Sequence, residues 1–160
     1  MTDTADIAHK FWKALKSDRT AMLWVEGTPG SRPMTVQVDP DTEEGPLWIF
    51  TSNETELVQS LAGPKKASLA FSSKGHDVIG SVDGEISISN DRTTIDGLWN
   101  PFVAAWFEGG KDDPKLTLLR FDGTDAKVWI DGSSLLAGVK ILLGVDPKTD
   151  YHDKVAEIDV

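Results

Sequence analysis

The sequence predicts a mainly β (α+β) domain, an antiparallel barrel with peripheral helices. Three observations lead there. About seven runs have strand length and either alternate apolar with polar residues or are continuously apolar. Short turns join them, with a few helical stripes interspersed. The chain of 160 residues is a natural single-domain length and carries no internal repeat and no low-complexity linker. It is therefore read as one domain over 1–160, with its core at about 5–144 and a polar tail at 145–160.

Taken in order, Ile7, Phe11, Trp12 and Leu15 fall on one stripe, so residues 4–17 read as an amphipathic helix. Ala21–Glu26 is a short strand, and Thr28-Pro29-Gly30-Ser31 punctuates it as a turn. Arg32–Val38 alternates Met34, Val36 and Val38 against Thr35 and Gln37, the pattern of a half-buried strand. Asp39–Glu44 is a solvated acidic turn, and Pro46–Ser52 is the next strand. Glu54–Ala62 reads as a short helix stopped by Gly63-Pro64. Ala67–Ser72 and Val78–Ser89 are strands. Gly80 and Gly84 interrupt the second, which signals bulges or the close approach of another group. Asp91–Phe107 is helix-prone, with Pro101 inside it, so a kink or two short helices are expected. Gly109–Pro114 is a loop. Leu116–Phe121 and Lys127–Ile130 read as a hairpin around Asp122-Gly123-Thr124-Asp125. Ser133–Leu143 is an apolar helix that Ser133 or Ser134 caps, and Gly144 ends it.

Composition excludes several functions. With no Cys, disulfide frameworks, thiolate metal sites and Cys nucleophiles are ruled out. The net charge of −10 argues against nucleic acid and anionic membrane as partners, since both call for clustered Lys and Arg. An anionic ligand would need a local positive feature. The first 17 residues lack the continuous apolar run of a signal peptide, and no run approaches a membrane span, so a cytoplasmic protein is expected. His9, His76 and His152 have no metal-type spacing, and Asp112-Asp113-Pro114 lacks the oxygen pattern of a calcium loop, so no metal site is expected.

Two segments carry the functional reading. Arg32 opens a strand, and Pro33 restricts it to extended backbone angles, so its guanidinium is presented in one direction. Leu47-Trp48-Ile49-Phe50 ends in Thr51-Ser52 just before a helix start, where hydroxyls and N–H groups can meet an anion. Together they fit a phosphate-bearing small molecule lying on a small sheet, or a plain hairpin with a solvated Arg and a helix cap. Of six Trp, Trp12, Trp24 and Trp48 are assigned to the core. Trp99 and Trp106, with Phe102 and Val103, either wall a ligand pocket or pack a helix on the barrel.

In order along the chain, Gly30-Ser31-Arg32-Pro33-Met34, Leu47-Trp48-Ile49-Phe50-Thr51-Ser52, Ser81-Val82-Asp83-Gly84-Glu85, Leu98-Trp99-Asn100-Pro101 with Trp106-Phe107, and Gly110-Lys111-Asp112-Asp113-Pro114 resemble the general stress protein 26 family. That family belongs to the flavin-binding split barrels related to pyridoxamine 5′-phosphate oxidase. The resemblance implies a split barrel that forms a homodimer and binds FMN in clefts at the dimer interface. It implies that the strand Arg32–Gln37, with Pro33, Met34 and Thr35, runs beneath the flavin and gives backbone hydrogen bonds to the ring edge, that Arg32, Thr51 and Ser52 lie near its phosphate, and that Phe50 is among the cofactor-binding residues. It implies that Trp106 or Trp129 approaches the ring or the partner. One position departs from the family: Leu57, between Glu56 and Val58, stands where relatives usually carry a phosphate-binding Lys.

No catalytic constellation is visible. This suits a flavin-dependent oxidoreductase, in which the cofactor carries the chemistry. It also suits a non-catalytic flavin-binding stress-response protein, or a dimeric barrel that has lost FMN. Phosphorylated pyridoxamine is not indicated as the substrate.

Overall fold

The computed structural model describes residues 4–130 and 155–160. Helix α1 (Thr4–Asp18) buries the four residues of its predicted stripe. The strands follow as β1 (Thr20–Val25), β2 (Ser31–Thr35) and β3 (Leu47–Ser52). After the short α2 (Glu56–Ser60) come β4 (Lys65–Ser72) and β5 (Val78–Ile88). Helices α3 (Arg92–Leu98) and α4 (Pro101–Ala104) and a 3₁₀ turn at Gly110–Asp112 lead into β6 (Leu116–Ile130), and β7 is Val155–Ile158.

The sheet order is β2-β1-β4-β5-β6-β3, each neighbouring pair antiparallel, and β7 pairs with β6. The two ends of this ribbon meet at one bridge. Gln37, just past β2, exchanges both backbone hydrogen bonds with Trp48 of β3, at 2.7 and 2.9 Å. That bridge closes the sheet into a barrel, and fully burying each large apolar side chain inside contributes about 1.5–3 kcal/mol. Alternation along β3 divides its apolar residues. Leu47 and Ile49 enter the main core, while Trp48 and Phe50 join a second cluster with Ile95, Leu98, Trp99, Leu116 and Leu118. The α3–α4 segment thus covers the outside of β3.

Both interior glycines of β5 have the physical cause that the sequence predicts. A Cβ on Gly80 would lie 2.7 Å from the Phe11 ring, so the glycine seats α1 on the sheet. A Cβ on Gly84 would lie 2.2 Å from the Asp122 carbonyl oxygen, at the register shift between β5 and β6. The kink at Pro101 is also present: Asn100 separates α3 from α4 and caps the second.

Four expectations are corrected. The predicted hairpin at 122–125 is one continuous strand, β6. Its Asp-Gly-Thr-Asp segment forms a bulge opposite Gly84, and the Thr124 hydroxyl bonds the Asp83 carbonyl at 3.1 Å. The segment is held in β because β5 pairs along its whole length. β2 stops at Thr35 rather than Val38, because the Val36 N–H bonds to the Arg19 carbonyl before the chain reaches β3. The tail contains β7, which buries Ile158 and pairs with residues 126–129 of β6, beyond the stretch that β3 covers. Trp24 is 40% exposed and not a core residue, since the alternation of β1 turns it outward. The predicted helix at Ser133–Leu143 and His152 lie outside the described residues.

Candidate functional site

Three segments converge on one cleft. Pro33 and Thr35 project from the outer face of β2. Gln37 lies at the barrel seam, and Phe50, Thr51 and Ser52 form the end of β3. Facing them are Phe102 and Val103 of α4 and Trp106 and Phe107 just beyond it. The cleft encloses about 380 Å³, and Met34 and Thr55 complete its described lining. That volume is in the range of small-ligand sites.

The lining has a particular chemistry. None of its described residues is ionisable. Its inner aromatic wall is braced. Trp99 packs behind it, edge-on to Phe50 at 6.0 Å and tilted against Phe107 at 6.3 Å. Trp99 and Trp106 therefore do not share a face: Trp99 packs inward, while Trp106 is 84% exposed at the rim beside Phe102, 80% exposed. The hydroxyls at the far end are partly committed. The Ser52 hydroxyl accepts from the Glu54 N–H at 3.2 Å. The Thr55 hydroxyl accepts from the Val58 N–H at 3.3 Å and donates to the Ser52 carbonyl at 2.9 Å. Asn53 ties this end of β3 to the loop before β6, through its amide to the Pro114 carbonyl and its N–H to the Lys115 carbonyl, both at 2.8 Å.

Of the predicted site residues, Pro33, Met34, Thr35, Phe50, Thr51, Ser52 and Trp106 line this one cleft. Arg32 does not. It is half-buried on the β2 face it shares with Met34, and only Met34, two residues further along the strand, reaches the cleft. Trp129 lies elsewhere, in a cleft between α1 and β5–β6–β7, with Lys127 over its ring at 5.5 Å. Leu57 is 1% exposed and part of the main core, so the position where a phosphate-binding cation was expected faces the barrel interior. Glu54 pairs with Lys115 at 3.7 Å. Lys65 extends over Gly27 in the β1–β2 turn and does not line the cleft.

The sequence reading missed Thr55 and Phe107 as lining residues; it left Phe102 and Val103 open between a pocket wall and packing, and it took Gln37 only as the end of the strand beneath the ligand. The role of the Gln37 side chain was not visible, because its neighbours come from across the barrel seam. The Asn100-Pro101 start of α4 was visible, but not the direction in which that helix points.

Three carboxyls sit below the usual range, and all three are loop anchors. Asp113 accepts from the Lys115 and Gly109 N–H groups, which lower its pKa. Asp91 is lowered by the Thr94 hydroxyl and N–H as it caps α3, and Asp77 by the Ser73 hydroxyl at 2.6 Å. Among the described residues no His, Asp and Glu side chains cluster as a metal site, and no helix is long and apolar enough to cross a membrane.

A family model described as pyridoxamine 5′-phosphate oxidase like matches residues 6–151. A general stress family protein from Xanthomonas campestris pv. campestris is 51% identical, with a TM-score of 0.80 over 86% of this chain and 96% of its own. A general stress FMN/FAD binding protein from Xanthomonas citri is 50% identical, with a TM-score of 0.79 over 84% of this chain and 96% of its own. A general stress protein 26 from Jannaschia sp. CCS1 is 30% identical, with a TM-score of 0.84 over 99% of this chain and all of its own (100%). No curated protein matches the sequence.

Proposed function

We propose that this chain, which belongs to the pyridoxamine 5′-phosphate oxidase-like family and has its split-barrel fold, binds a flavin, FMN in the first place, in the neutral cleft between β2, β3 and α4. One observation carries the reading: seven of the residues expected at a flavin from sequence motifs line a single aromatic, uncharged cleft. A planar conjugated ring suits such walls, because Phe50, Trp106 and Phe107 offer apolar faces while Thr35, Gln37 and Thr51 offer polar edges. The X. citri relative, half identical, is an FMN/FAD binding protein.

The chain's residues would bind, orient and partly dehydrate the ring. When bound, the flavin supplies hydride and electron transfer. The cleft offers no ionisable group among its described lining, so a flavin-dependent oxidoreductase built here would leave proton handling to solvent or substrate. That neutrality also favours a second reading, a flavin-binding stress protein without turnover. Anaerobic reduction by a nicotinamide cofactor, then reoxidation by candidate acceptors, separates the two.

The proposal includes a homodimer. Phe102 and Trp106 leave a large aromatic rim exposed on one chain, and a second copy covering it would close the cleft. Trp129, on another face, would take part only through that second copy. The test is titration of FMN with the protein, read by quenching of flavin fluorescence, with sedimentation at the same concentrations. Saturable binding at one flavin per chain on a dimer supports the reading. Unquenched FMN at micromolar protein refutes it.

A further inference from the structure

We propose that the side-chain amide of Gln37 is the donor that reads an acceptor atom on the ring edge, and that Asn100, outside the cleft, fixes which end of that amide faces the ligand. This rests on the flavin reading above and names a specificity residue for it.

The argument starts from backbone geometry. Gln37 closes the barrel, with both its N–H and its carbonyl bonded to Trp48. Its backbone is therefore fixed and has nothing left to offer a ligand. Its side chain is a different matter. Gln37 is only 7% exposed, yet it lines the cleft. A buried amide has two ends, an acceptor oxygen and a donor NH₂, and the hydrogen-bond network must say which way each points.

Asn100 settles this. Its Oδ1 accepts from the Phe102 and Val103 N–H groups, both at 3.0 Å, which caps α4. Its NH₂ must therefore point the other way, where it donates to the Leu98 carbonyl at 3.2 Å and to Gln37 Oε1 at 3.5 Å. With its oxygen turned to Asn100, Gln37 presents its NH₂ to the cleft. Among the described residues that NH₂ has no partner. The inner cleft thus displays a donor that solvent reaches, since no buried side-chain nitrogen or oxygen among the described residues lacks a partner, and a ligand that covers it without accepting from it loses binding energy. A ring carbonyl or unprotonated ring nitrogen satisfies it, and a ligand showing an N–H there does not.

The chain of dependence also predicts an indirect switch. Asn100→Asp keeps the cap, because Asp is a good capping residue. It replaces the donor facing Gln37 with an acceptor. Gln37 then turns over, gives its NH₂ to the free oxygen of the new carboxylate, and shows its own oxygen to the cleft. The polarity of the site inverts without any change in a residue that lines it.

The experiment uses riboflavin, which has no phosphate, so that the new carboxylate does not act through phosphate repulsion. Affinities are measured by fluorescence quenching for the wild type, Gln37→Leu, Asn100→Asp and the double variant, with thermal midpoints of the apo proteins recorded alongside. Gln37→Leu is expected to weaken riboflavin about five- to tenfold, and Asn100→Asp at least as much. The double variant is expected to bind within about twofold of Gln37→Leu, because without Gln37 the switch has nothing to turn. The midpoint potential of the bound flavin is expected to fall in the neutral variant Gln37→Leu, since a lost donor no longer stabilises charge on the reduced ring; in Asn100→Asp the charge of the new carboxylate lowers it as well. A purely structural role would leave it unmoved in Gln37→Leu. If Gln37→Leu is poorly folded, Gln37→Met, closer to glutamine in shape and equally without an amide, takes its place in the single and double variants. Wild-type binding with an unaffected Gln37→Leu, or fully additive effects, overturns this proposal alone. A wild type that takes no riboflavin overturns the flavin reading and this proposal together.

Discussion

Two clefts of this protein differ in the property that matters most. The cleft between α1 and β5–β6–β7 is roomier, about 830 Å³, but its described rim carries Glu43, Asp83, Asp125, Glu157 and Asp159 against the single cation Lys127. The cleft between β2, β3 and α4 is about 380 Å³ and has no ionisable lining. In a chain of net charge −10, the acidic cleft would repel a phosphate-bearing ligand at every point of approach, whereas the smaller one is electrically quiet. Size alone would favour the acidic one. The contrast also separates two tryptophans that sequence motifs place near one ligand: Trp106 stands at the neutral cleft and Trp129 at the acidic one.

The largest expected effect tests where the neutral cleft ends. If Leu57 belongs to the core, Leu57→Lys buries an unpaired ammonium and lowers the unfolding free energy by about 3 kcal/mol or more in a urea titration. A stable variant with tighter FMN binding would extend the cleft to position 57.

Next comes the division between ring and phosphate. If the neutral cleft takes the ring, as proposed, the charge of the phosphate must be met from outside its lining. Arg32, adjacent to Pro33 and in no salt bridge with a described residue, is the nearest candidate in sequence. Arg32→Ala is expected to weaken FMN by about tenfold or more, the value of a hydrogen bond to a charged group, and to leave riboflavin unchanged. Equal losses for both ligands would place Arg32 at the ring.

The two tryptophans give a smaller and more direct contrast. Trp106→Ala is expected to weaken riboflavin by up to about tenfold, the range of an aromatic pair, and Trp129→Ala by less. The reverse order would move the site to the acidic cleft.

The smallest effect concerns the loop that braces the Thr51-Ser52 end. The Asp113 pKa is lowered in the folded protein, so its contribution to stability is present above the ordinary carboxylate pKa and is lost as pH falls through the lowered value. Thermal midpoints of Asp113→Asn and wild type should therefore differ at neutral pH and converge in acid. A gap that persists at low pH would assign the loop's order to other bonds.

Much of the barrel was legible because its signals are local. The α1 stripe, the strand alternation, the two glycines of β5 and the Pro101 break each act over a few residues. The failures are long-range. Asp122-Gly123 is a strong turn signal, yet the long ladder to β5 outweighs it and leaves a bulge. Trp24 has a core residue's composition on a strand's outer face. Leu57 matched a functional position in linear order, but the helical turn at Thr55 aims it inward. Gln37 was visible only as the end of the strand beneath the ligand; the setting of its side chain comes from Trp48 and Asn100, one across the barrel seam and the other 63 residues away.

The most direct test of the central claim is a two-dimensional amide NMR titration with riboflavin. The indole and amide signals of Trp106, Gln37 and Thr51 should shift with one common saturation curve, while Ser81 and Asp125, on the wall of the acidic cleft, should stay in place. Shifts at Ser81 and Asp125 with Gln37 and Trp106 unmoved would contradict the claim.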